Sequence, residues 1–488
     1  MTHPLTPQQL NVLATAPQPG NVAITAVAGS GKTYIEKLWA LLCKSTGLAT
    51  SFNRGTVDEL GKQMPAKFPS KTMHSLGLTA IKRSGTFTQL DKGKIYNITR
   101  DLIAESSSDW TLQSPVMKLV SLAKTFGIIP ATELRNGLIP DTPETWQELA
   151  DQFGIDEFND EILHLSREVL AQSNIAALKN GIIDFDDMLY VACLYPHRFT
   201  RFPTIIVDEA QDLNALQHNL ISKLLLPGGR IIAAGDPNQS IYAFRGALHD
   251  SFGALISKFN MREVDLTWSF RCPKAVVREA QRYVPRIESA PNAIEGSVTH
   301  VDELSINSLP NTILCRNNKQ LSTLGFKLLL SGKTVEIAGH DIGKGLINLT
   351  RRITKRNLKT STFIERVNKW SEREIAKRPK ATPTIEDKRD TLVFLSQNFT
   401  DLEEVQSHLE RMYPNPQAKN YRVPEYHLST IHRGKGKEWP NVLFLDPQLL
   451  PSKYAKQPHE LKQESNLAYV GVTRSQENLT YCASDNIY

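Results

Sequence analysis

Residues 22–33, read as VAITAVAGSGKT, determine the fold class of this 488-residue chain. The β-branched run VAITAV (22–27) predicts a short buried strand, and YIEKLWALL after Thr33 has the apolar spacing of a helix. A glycine turn between a strand and a helix surrounds phosphate groups with backbone N–H donors. The pattern therefore predicts a nucleotide site in which Lys32 reaches the β- and γ-phosphates and the Thr33 hydroxyl binds Mg²⁺.

Small side chains in this turn leave room for the backbone to approach the phosphates. Alanine stands at the first position, where the usual pattern has glycine, and the turn alone is compatible with a kinase or a GTPase as well. The residues predicted to hold the nucleotide are Ala26, Val27, Ala28, Gly29, Ser30, Gly31, Lys32 and Thr33.

Two further apolar runs end in acidic residues. Residues 204–207 (TIIV) lead into Asp208 and Glu209, and residues 230–234 lead into Gly235 and Asp236. Such runs predict buried strands of a parallel sheet with active loops at their ends. Adjacent acids at a strand end are commonly ordinary helix-start residues, but beside a phosphate loop they favour catalysis. We assign Asp208 to Mg²⁺ and Glu209 to the base that activates water.

Composition limits the class of protein. Hydrophobic residues make up 40% of the chain and charged residues 22%, values typical of globular proteins, and the length predicts about three or four domains. Five scattered cysteines predict neither a disulfide framework nor a zinc knuckle. Without a leader-like start or a long apolar run, we expect a protein of a reducing compartment with no membrane partner, cytoplasmic in bacteria or phage-infected cells and nuclear in a eukaryote.

The net charge of +6 is concentrated in one segment. Residues 341–390 contain 14 Lys and Arg against 7 Asp and Glu. Two interpretations stay open for this basic segment: a solvated helix face, which is the commoner case, or a surface that contacts a phosphate backbone.

The sequence GDPNQSIYAFRGA (235–247) resembles the third motif of superfamily 1 DNA helicases of the UvrD, Rep and PcrA type. Other segments are similar to the remaining family motifs in family order, and the pattern is most like the compact phage, bacterial and F-box-helicase branch. These segments are LTPQQ (5–9), FNRGTVDEL (52–60), TMHSLG (72–77), DFDDML (184–189), LTWSFRCP (266–273), STIHRGKGKEW (429–439) and NLAYVGVTR (466–474).

The resemblance implies an α/β fold with two RecA-like P-loop domains, each carrying a mainly helical inserted subdomain. We assign residues 1–80 and 181–265 to the first RecA-like domain, and 81–180 to its helical insertion. Residues 266–339 and 426–488 form the second domain, with a shortened basic insertion over 340–425. The chain ends shortly after Arg474, which we expect to leave no room for a fused nuclease.

The resemblance also extends the ATP site. Around the nucleoside, it implies that Gln9 reads adenine, Phe270 stacks on the base where relatives often have Tyr, and Glu438 contacts the ribose. Around the γ-phosphate, it implies a sensor, Gln239, and two arginine fingers, Arg271 and Arg474. ATP and Mg²⁺ are the implied cofactors.

Single-stranded DNA and single-strand/duplex junctions are the implied partners, while protein partners are not indicated. Aromatic rings that stack on bases bind single strands without sequence preference. Phe244 stands where relatives usually have Trp, and the isolated histidines do not predict a metal site. The implied DNA contacts are Phe52, Asn53, Thr72, His74, Tyr242, Phe244, Arg245, Thr430 and His432.

The leading hypothesis is an ATP-dependent helicase that moves 3′ to 5′ on single-stranded DNA, with the polarity implied by the resemblance alone. The first alternative is a DNA-stimulated translocase that strips proteins or recombination filaments with little unwinding. The second is an ATP-gated binding module, which the presence of both acids and both arginine fingers disfavours.

Overall fold

The computed structural model describes residues 4–85, 87–106, 109–153, 155, 158–241, 250–354, 357–377, 382–418 and 421–488. The chain divides into two compact units. The first comprises residues 1–27 and 31–266, and the second comprises residues 28–30 and 267–488.

A parallel sheet forms the centre of the first unit. Its described strands are β1 (Val22–Ala26), β2 (Leu48–Ser51), β3 (Gln89–Leu90), β4 (Ile182–Ile183), β5 (Phe202–Asp208), β6 (Leu225–Gly235) and β7 (Arg262–Leu266). Five of them form the main sheet in the order β2-β5-β6-β1-β7, and β3 pairs with β4 separately. The apolar runs predicted as strands are buried because helices cover both faces, as parallel sheets require.

Helices of the first unit lie on the sheet or between β3 and β4. Those described are α1 (Pro7–Ala14), α2 (Lys32–Leu42), α3 (Arg54–Gln63), α4 (Met73–Arg83), α5 (Lys94–Ser106), α6 (Gln113–Phe126), α7 (Pro143–Gln152), α8 (Asp160–Asn180), α9 (Asp187–Leu194), α10 (Ala215–Leu224) and α11 (Ser251–Phe259). Val12 of α1 and Ile35 and Trp39 of α2 pack on one face of the sheet with Ile24 and Ile206.

A buried ionic cluster joins α5 and α6 to the turn that begins α9. Lys94 Nζ lies 2.6 Å from an Asp187 carboxylate oxygen, and Lys124 Nζ lies 2.5 Å from Asp184 and 2.7 Å from Asp187. Burial opposes the charge on Asp187, but Lys124 and Lys94 outweigh it and lower the pKa of this carboxyl. The DFDDML segment thus ties α5 and α6, whose lysines lie 60 or more residues away, to the start of α9.

A second parallel sheet forms the centre of the second unit. Its described strands are β8 (Trp268–Ser269), β9 (Glu288–Ser289), β10 (Ser297–His300), β11 (Thr312–Cys315), β12 (Val335–Ile337), β13 (Tyr426–Thr430), β14 (Trp439–Leu445) and β15 (Ser475–Cys482). Six of them pair in the order β10-β15-β14-β11-β13-β12, and β8 pairs with β9. Two large parallel sheets confirm the predicted α/β fold class.

The described helices of the second unit include four between β12 and β13. The full set is α12 (Lys274–Ala280), α13 (Asn318–Leu330), α14 (His340–Ile353), α15 (Thr360–Lys377), α16 (Thr382–Gln397), α17 (Leu402–Met412), α18 (Ile431–Gly434) and α19 (Pro458–Val472). Leu392 and Leu395 of α16 share a core with Leu321 and Leu324 of α13. Across the described part of the chain, no helix has both the length and the apolar character needed to cross a bilayer.

Candidate active site

The loop between β1 and α2 has the backbone geometry that phosphate binding needs. Gly29 and Gly31 adopt φ values of 72° and 79°, in the left-handed region that favours glycine. Gly31 is also the residue that caps α2, and no side chain caps the first turn of this helix. The N–H groups of that turn are therefore available to an anion, and the helix dipole favours negative charge there.

Lys32 and Thr33, the first residues of α2, meet the acids that end β5. Lys32 Nζ lies 3.1 Å from Glu209 Oε1, and the Thr33 hydroxyl donates a 3.3 Å hydrogen bond to Asp208 Oδ2. The carboxyl ends of parallel strands lie at one edge of a sheet, which is why residues about 175 positions apart converge. Four predicted site residues are thus brought together in the first unit.

Glu209 has a backbone conformation that is uncommon for residues other than glycine. Its φ of 52° lies in the left-handed region, a conformation that costs about 1–3 kcal/mol and clusters at functional sites. The Glu209 N–H donates a 2.7 Å bond to Asp208 Oδ1, and its carboxylate accepts a hydrogen bond from Gln211 Nε2. These contacts hold both acids in fixed orientations.

Gln211 extends this network to the predicted γ-phosphate sensor. Its Oε1 accepts a 3.1 Å hydrogen bond from the Asp236 N–H, and Asp236 Oδ2 accepts a 2.8 Å bond from Gln239 Nε2. Glu209, Gln211, Asp236 and Gln239 therefore form one continuous chain of contacts. Gln211 was not predicted as a site residue, although its position two residues after Glu209 in VDEAQD was a usable signal.

The charges of these groups are coupled. Burial opposes the charge of Lys32, but Glu209, Asp208 and Asp236 outweigh it and raise the pKa of this ammonium above its ordinary value. Burial first, and then repulsion from Glu209, raises the pKa of Asp208 to about 6, although Lys32 partly opposes this change. In the described part of the first unit, three carboxylates, those of Asp208, Glu209 and Asp236, thus act on Lys32.

The donor set fits Mg²⁺. A hydroxyl from Thr33 and a carboxylate from Asp208 are the hard oxygen ligands that this ion prefers. Within the described residues, no group of three or more His, Cys, Asp or Glu side chains could hold a metal by itself. Mg²⁺ typically binds to one or two protein groups and completes its shell with water and substrate phosphates, so a small donor set is appropriate.

Gln9 lies beside the phosphate loop. Thr6 and Gln9 form a reciprocal capping box at the start of α1, with Gln9 Oε1 accepting a 3.0 Å bond from the Thr6 N–H. A Cβ placed on Gly31 would lie 3.7 Å from Gln9 Nε2. This proximity supports a role at the nucleotide, while the reading of adenine itself stays a prediction.

The second unit holds the other residues assigned to the ATP site. Arg271 forms an ion pair with Glu438, which also accepts a 3.0 Å hydrogen bond from Gln476 Nε2. Arg474 is buried and donates to the carbonyls of Val470 and Lys437 at 2.9 and 3.1 Å. Phe270 is exposed.

The predicted DNA contacts that the structure describes lie at the ends of strands and the starts of helices. Asn53 caps α3 by accepting from the Thr56 N–H at 2.8 Å, and Thr72 caps α4. Phe52 follows β2, whereas Thr430 and His432 mark the junction of β13 and α18. The contacts assigned to Tyr242, Phe244 and Arg245 lie outside the described residues.

The predicted DNA contact His74, near the start of α4, pairs with an aromatic residue that was not predicted, Phe185. The rings of His74 and Phe185 stack with centroids 4.2 Å apart and an interplanar angle of 23°. Phe185 is 57% exposed, although it is an apolar residue next to buried Asp184. Burial lowers the pKa of His74 to about 4, so the ring is neutral at pH 7. The only available signal was an aromatic residue among the acids of DFDDML.

Both halves of the chain match models of known protein families. The UvrD/REP helicase N-terminal domain matches residues 5–260, and the UvrD-like helicase C-terminal domain matches residues 243–486. The chain belongs to the UvrD/REP helicase family. This confirms the resemblance drawn from the motifs.

Individual members of the UvrD/REP family are similar to this chain at identities of 23–26%. F-box DNA helicase protein 1 of Schizosaccharomyces pombe is 25% identical over 98% of this chain and 57% of its own length. The probable DNA helicase II homolog of Mycoplasma pneumoniae is 26% identical over 55% of this chain and 41% of its own length. DNA helicase II of Escherichia coli is 23% identical over 56% of this chain and 39% of its own length. The chain thus spans about half the length of these relatives.

Proposed function

We propose that this chain is an ATP-dependent DNA helicase that moves 3′ to 5′ along single-stranded DNA. The observation that carries the proposal is the convergence of Lys32, Thr33, Asp208 and Glu209 at the ends of β1 and β5, in a member of the UvrD/REP family. The polarity and the use of ATP energy for strand separation are parts of the proposal, supported by family membership.

In this proposal, the first unit hydrolyses ATP. Lys32 binds the β- and γ-phosphates, and Glu209 accepts the proton of the attacking water. Thr33 and Asp208 would hold Mg²⁺, which neutralises phosphate charge. Gln211 and Asp236 support the orientation of Glu209 and of the γ-phosphate sensor Gln239. Arg271 and Arg474 are proposed to stabilise charge on the transferred phosphoryl group.

The proposed track for single-stranded DNA includes the His74 and Phe185 pair. An exposed ring that is already supported by a second ring offers a flat, rigid surface to a base. Stacking of this kind contributes about 1–3 kcal/mol per base and tolerates any sequence. Asn53 and Thr72 lie at helix starts, where backbone N–H groups favour contact with phosphate.

Two matched duplexes test the function directly, one with a 3′ single-stranded tail and one with a 5′ tail. We expect unwinding of the 3′-tailed duplex only, accompanied by ATP hydrolysis in the same reaction. Glu209→Gln serves as the inactive control. Unwinding of the 5′-tailed duplex alone would overturn the polarity, and ATP hydrolysis with neither duplex opened would favour the alternative of a translocase without much unwinding.

The basic segment has a described surface that suits a phosphate backbone. A groove of about 480 Å³ between α14 and α15 is lined by Trp370 and by four exposed cations. Among the described residues, no ion pair joins these cations to a carboxylate. Such uncompensated positive charge favours the interpretation as a DNA contact over that of a neutral, solvated face. The four cations are Arg352, Arg366, Lys369 and Arg373.

Removal of two charges from this groove is expected to change the salt dependence of DNA binding. With Lys369→Gln and Arg373→Gln together, the slope of log affinity against log salt for forked DNA should fall by about 1–2, because each lost phosphate contact accounts for about 0.9. Fluorescence anisotropy at several salt concentrations measures this slope. Lys92→Gln with Lys179→Gln removes equal charge from the first unit, and equal slopes for the two double variants would contradict the assignment.

A further inference from the structure

Glu36 is a buried carboxylate within α2, one helical turn after Lys32. Its side chain is 0% exposed, and neither carboxylate oxygen has a hydrogen-bond partner among the described residues. Residues three and four apart lie on the same side of a helix, so Glu36 shares a side of α2 with Thr33 and Lys32. It is therefore an acidic group near the phosphate loop that takes no part in the proposed hydrolysis of ATP.

The sheet places two more oxygen-bearing residues on the face that α2 covers. Ala49 and Ile206 pack in one core with Ile35 of α2. Alternate residues of a strand share a face, so Ser51 and Asp208, two positions further along, lie on this face too. Ser51 and Asp208 are also direct neighbours in the register of β2 and β5. The Ser51 hydroxyl, like Glu36, is buried and unpartnered among the described residues.

The ionisation of Glu36 is coupled to the charges of this group. Burial first, and then repulsion from Asp208 and Glu209, raises the pKa of Glu36 well above its ordinary value, while Lys32 lowers it. Lys32 already forms an ion pair with Glu209. Among the described residues, Lys32 is thus the ammonium that these carboxylates share.

A buried, unpartnered carboxylate destabilises a fold, whereas an apolar side chain at the same place in a helix would complete the core. A cation bound close to Glu36 would compensate this cost. The water molecules bound to a divalent cation can donate hydrogen bonds to protein oxygens outside the coordination shell. Side chains in that outer position also orient the residues that bind the cation directly.

We propose that Glu36 is an additional carboxylate of the divalent-cation site, acting on Mg²⁺ through water together with Ser51 and beside the direct ligands Thr33 and Asp208. The inference rests on the proposed function, because the cation is the one that accompanies ATP. The inference goes beyond that function because it predicts that the nucleotide-free protein binds the divalent cation with measurable affinity. Glu36 is a positioning residue in this scheme and does not touch the reacting atoms.

Titration of the full, nucleotide-free chain with Mn²⁺ alone, followed by the electron paramagnetic resonance of the free ion, tests the proposal. Glu36→Gln keeps the shape of the side chain and removes its charge, so we expect Mn²⁺ to bind about 10-fold more weakly or worse. Glu59→Gln, an exposed residue of α3, removes the same charge elsewhere in the first unit and should bind as the wild type does.

Thermal unfolding gives a second readout that is independent of turnover. Glu36→Leu should unfold at a higher temperature than the wild type in EDTA, because an apolar side chain replaces an unpartnered carboxylate. It should also lose most of the stabilisation that the wild type gains from added Mg²⁺.

Two results would overturn the inference. One is wild-type Mn²⁺ affinity in both Glu36 variants while Asp208→Asn binds weakly, which would leave the proposed function intact. The other is an absence of Mn²⁺ binding to the nucleotide-free wild type. Failure of the proposed function itself would appear separately, as a wild-type chain that binds Mn²⁺ but neither hydrolyses ATP with DNA nor opens a tailed duplex.

Discussion

Glutamine in place of Glu209 is expected to lower the turnover number for DNA-stimulated ATP hydrolysis by about 10²–10⁴-fold, the usual contribution of a general base. An amide of the same shape keeps the size of the side chain, but its single acceptor oxygen can replace only one of the two carboxylate oxygens that accept from Lys32 and Gln211. It cannot accept the proton of the attacking water. Phosphate release at saturating ATP, with and without single-stranded DNA, measures the effect.

The binding of ATP separates loss of the base from damage to the site. The Glu209→Gln variant should bind ATP with an affinity close to that of the wild type, whereas Lys32→Ala should lose both hydrolysis and much of the binding, since it removes a phosphate contact. Glu105→Gln changes an exposed acid of α5 and is the matched control. Hydrolysis by Glu209→Gln within threefold of wild type would show that Glu209 is not the base.

The largest expected effect on stability comes from Lys124→Met. Lys124 is fully buried and lies against both Asp184 and Asp187, so its removal leaves Lys94 as the one cation among the described residues that is paired with these buried carboxylates. Breaking a buried ion pair on one side costs about 3–5 kcal/mol. We expect a loss of this size in the free energy of opening of the region where α5, α6 and α9 meet.

Amide hydrogen exchange under native conditions measures this opening, and it avoids treating a two-unit chain as a two-state system. Lys179→Met, at an exposed position of α8, removes the same charge and should change the opening free energy by less than about 0.5 kcal/mol. A change below about 1 kcal/mol for Lys124→Met would mean that the two aspartates are compensated in another way.

The parts of the ATP site that sequence analysis predicted are those encoded in short, continuous segments. The strand, glycine turn and helix at residues 22–42 carry their own geometry, because each N–H donor of the loop belongs to adjacent residues. Asp208 and Glu209 were predicted because they directly follow the apolar run of β5 in the sequence. Parallel strands place such ends at one edge, so the meeting of Lys32 with Glu209 followed from the fold class.

The residues that sequence analysis missed depend on contacts between distant segments. Gln211 matters because it reaches both Glu209 and Asp236, and Phe185 matters because it stacks on His74. Glu36 occupies an ordinary helical position in the sequence, and only its burial without a hydrogen-bond partner among the described residues makes it unusual. Pattern and spacing carry no information about such pairs.

By itself, the sequence determined the fold class, the family and the identity of the phosphate-binding loop, because periodicity and motif order are properties of the linear chain. Tertiary structure alone decided the order β2-β5-β6-β1-β7, which places Ser51 next to Asp208 and makes Glu36 a buried, unpartnered acid. It also decided which lysines neutralise Asp184 and Asp187. Strand order and side-chain burial arise from the packing of segments far apart in the chain, and only the folded molecule specifies them.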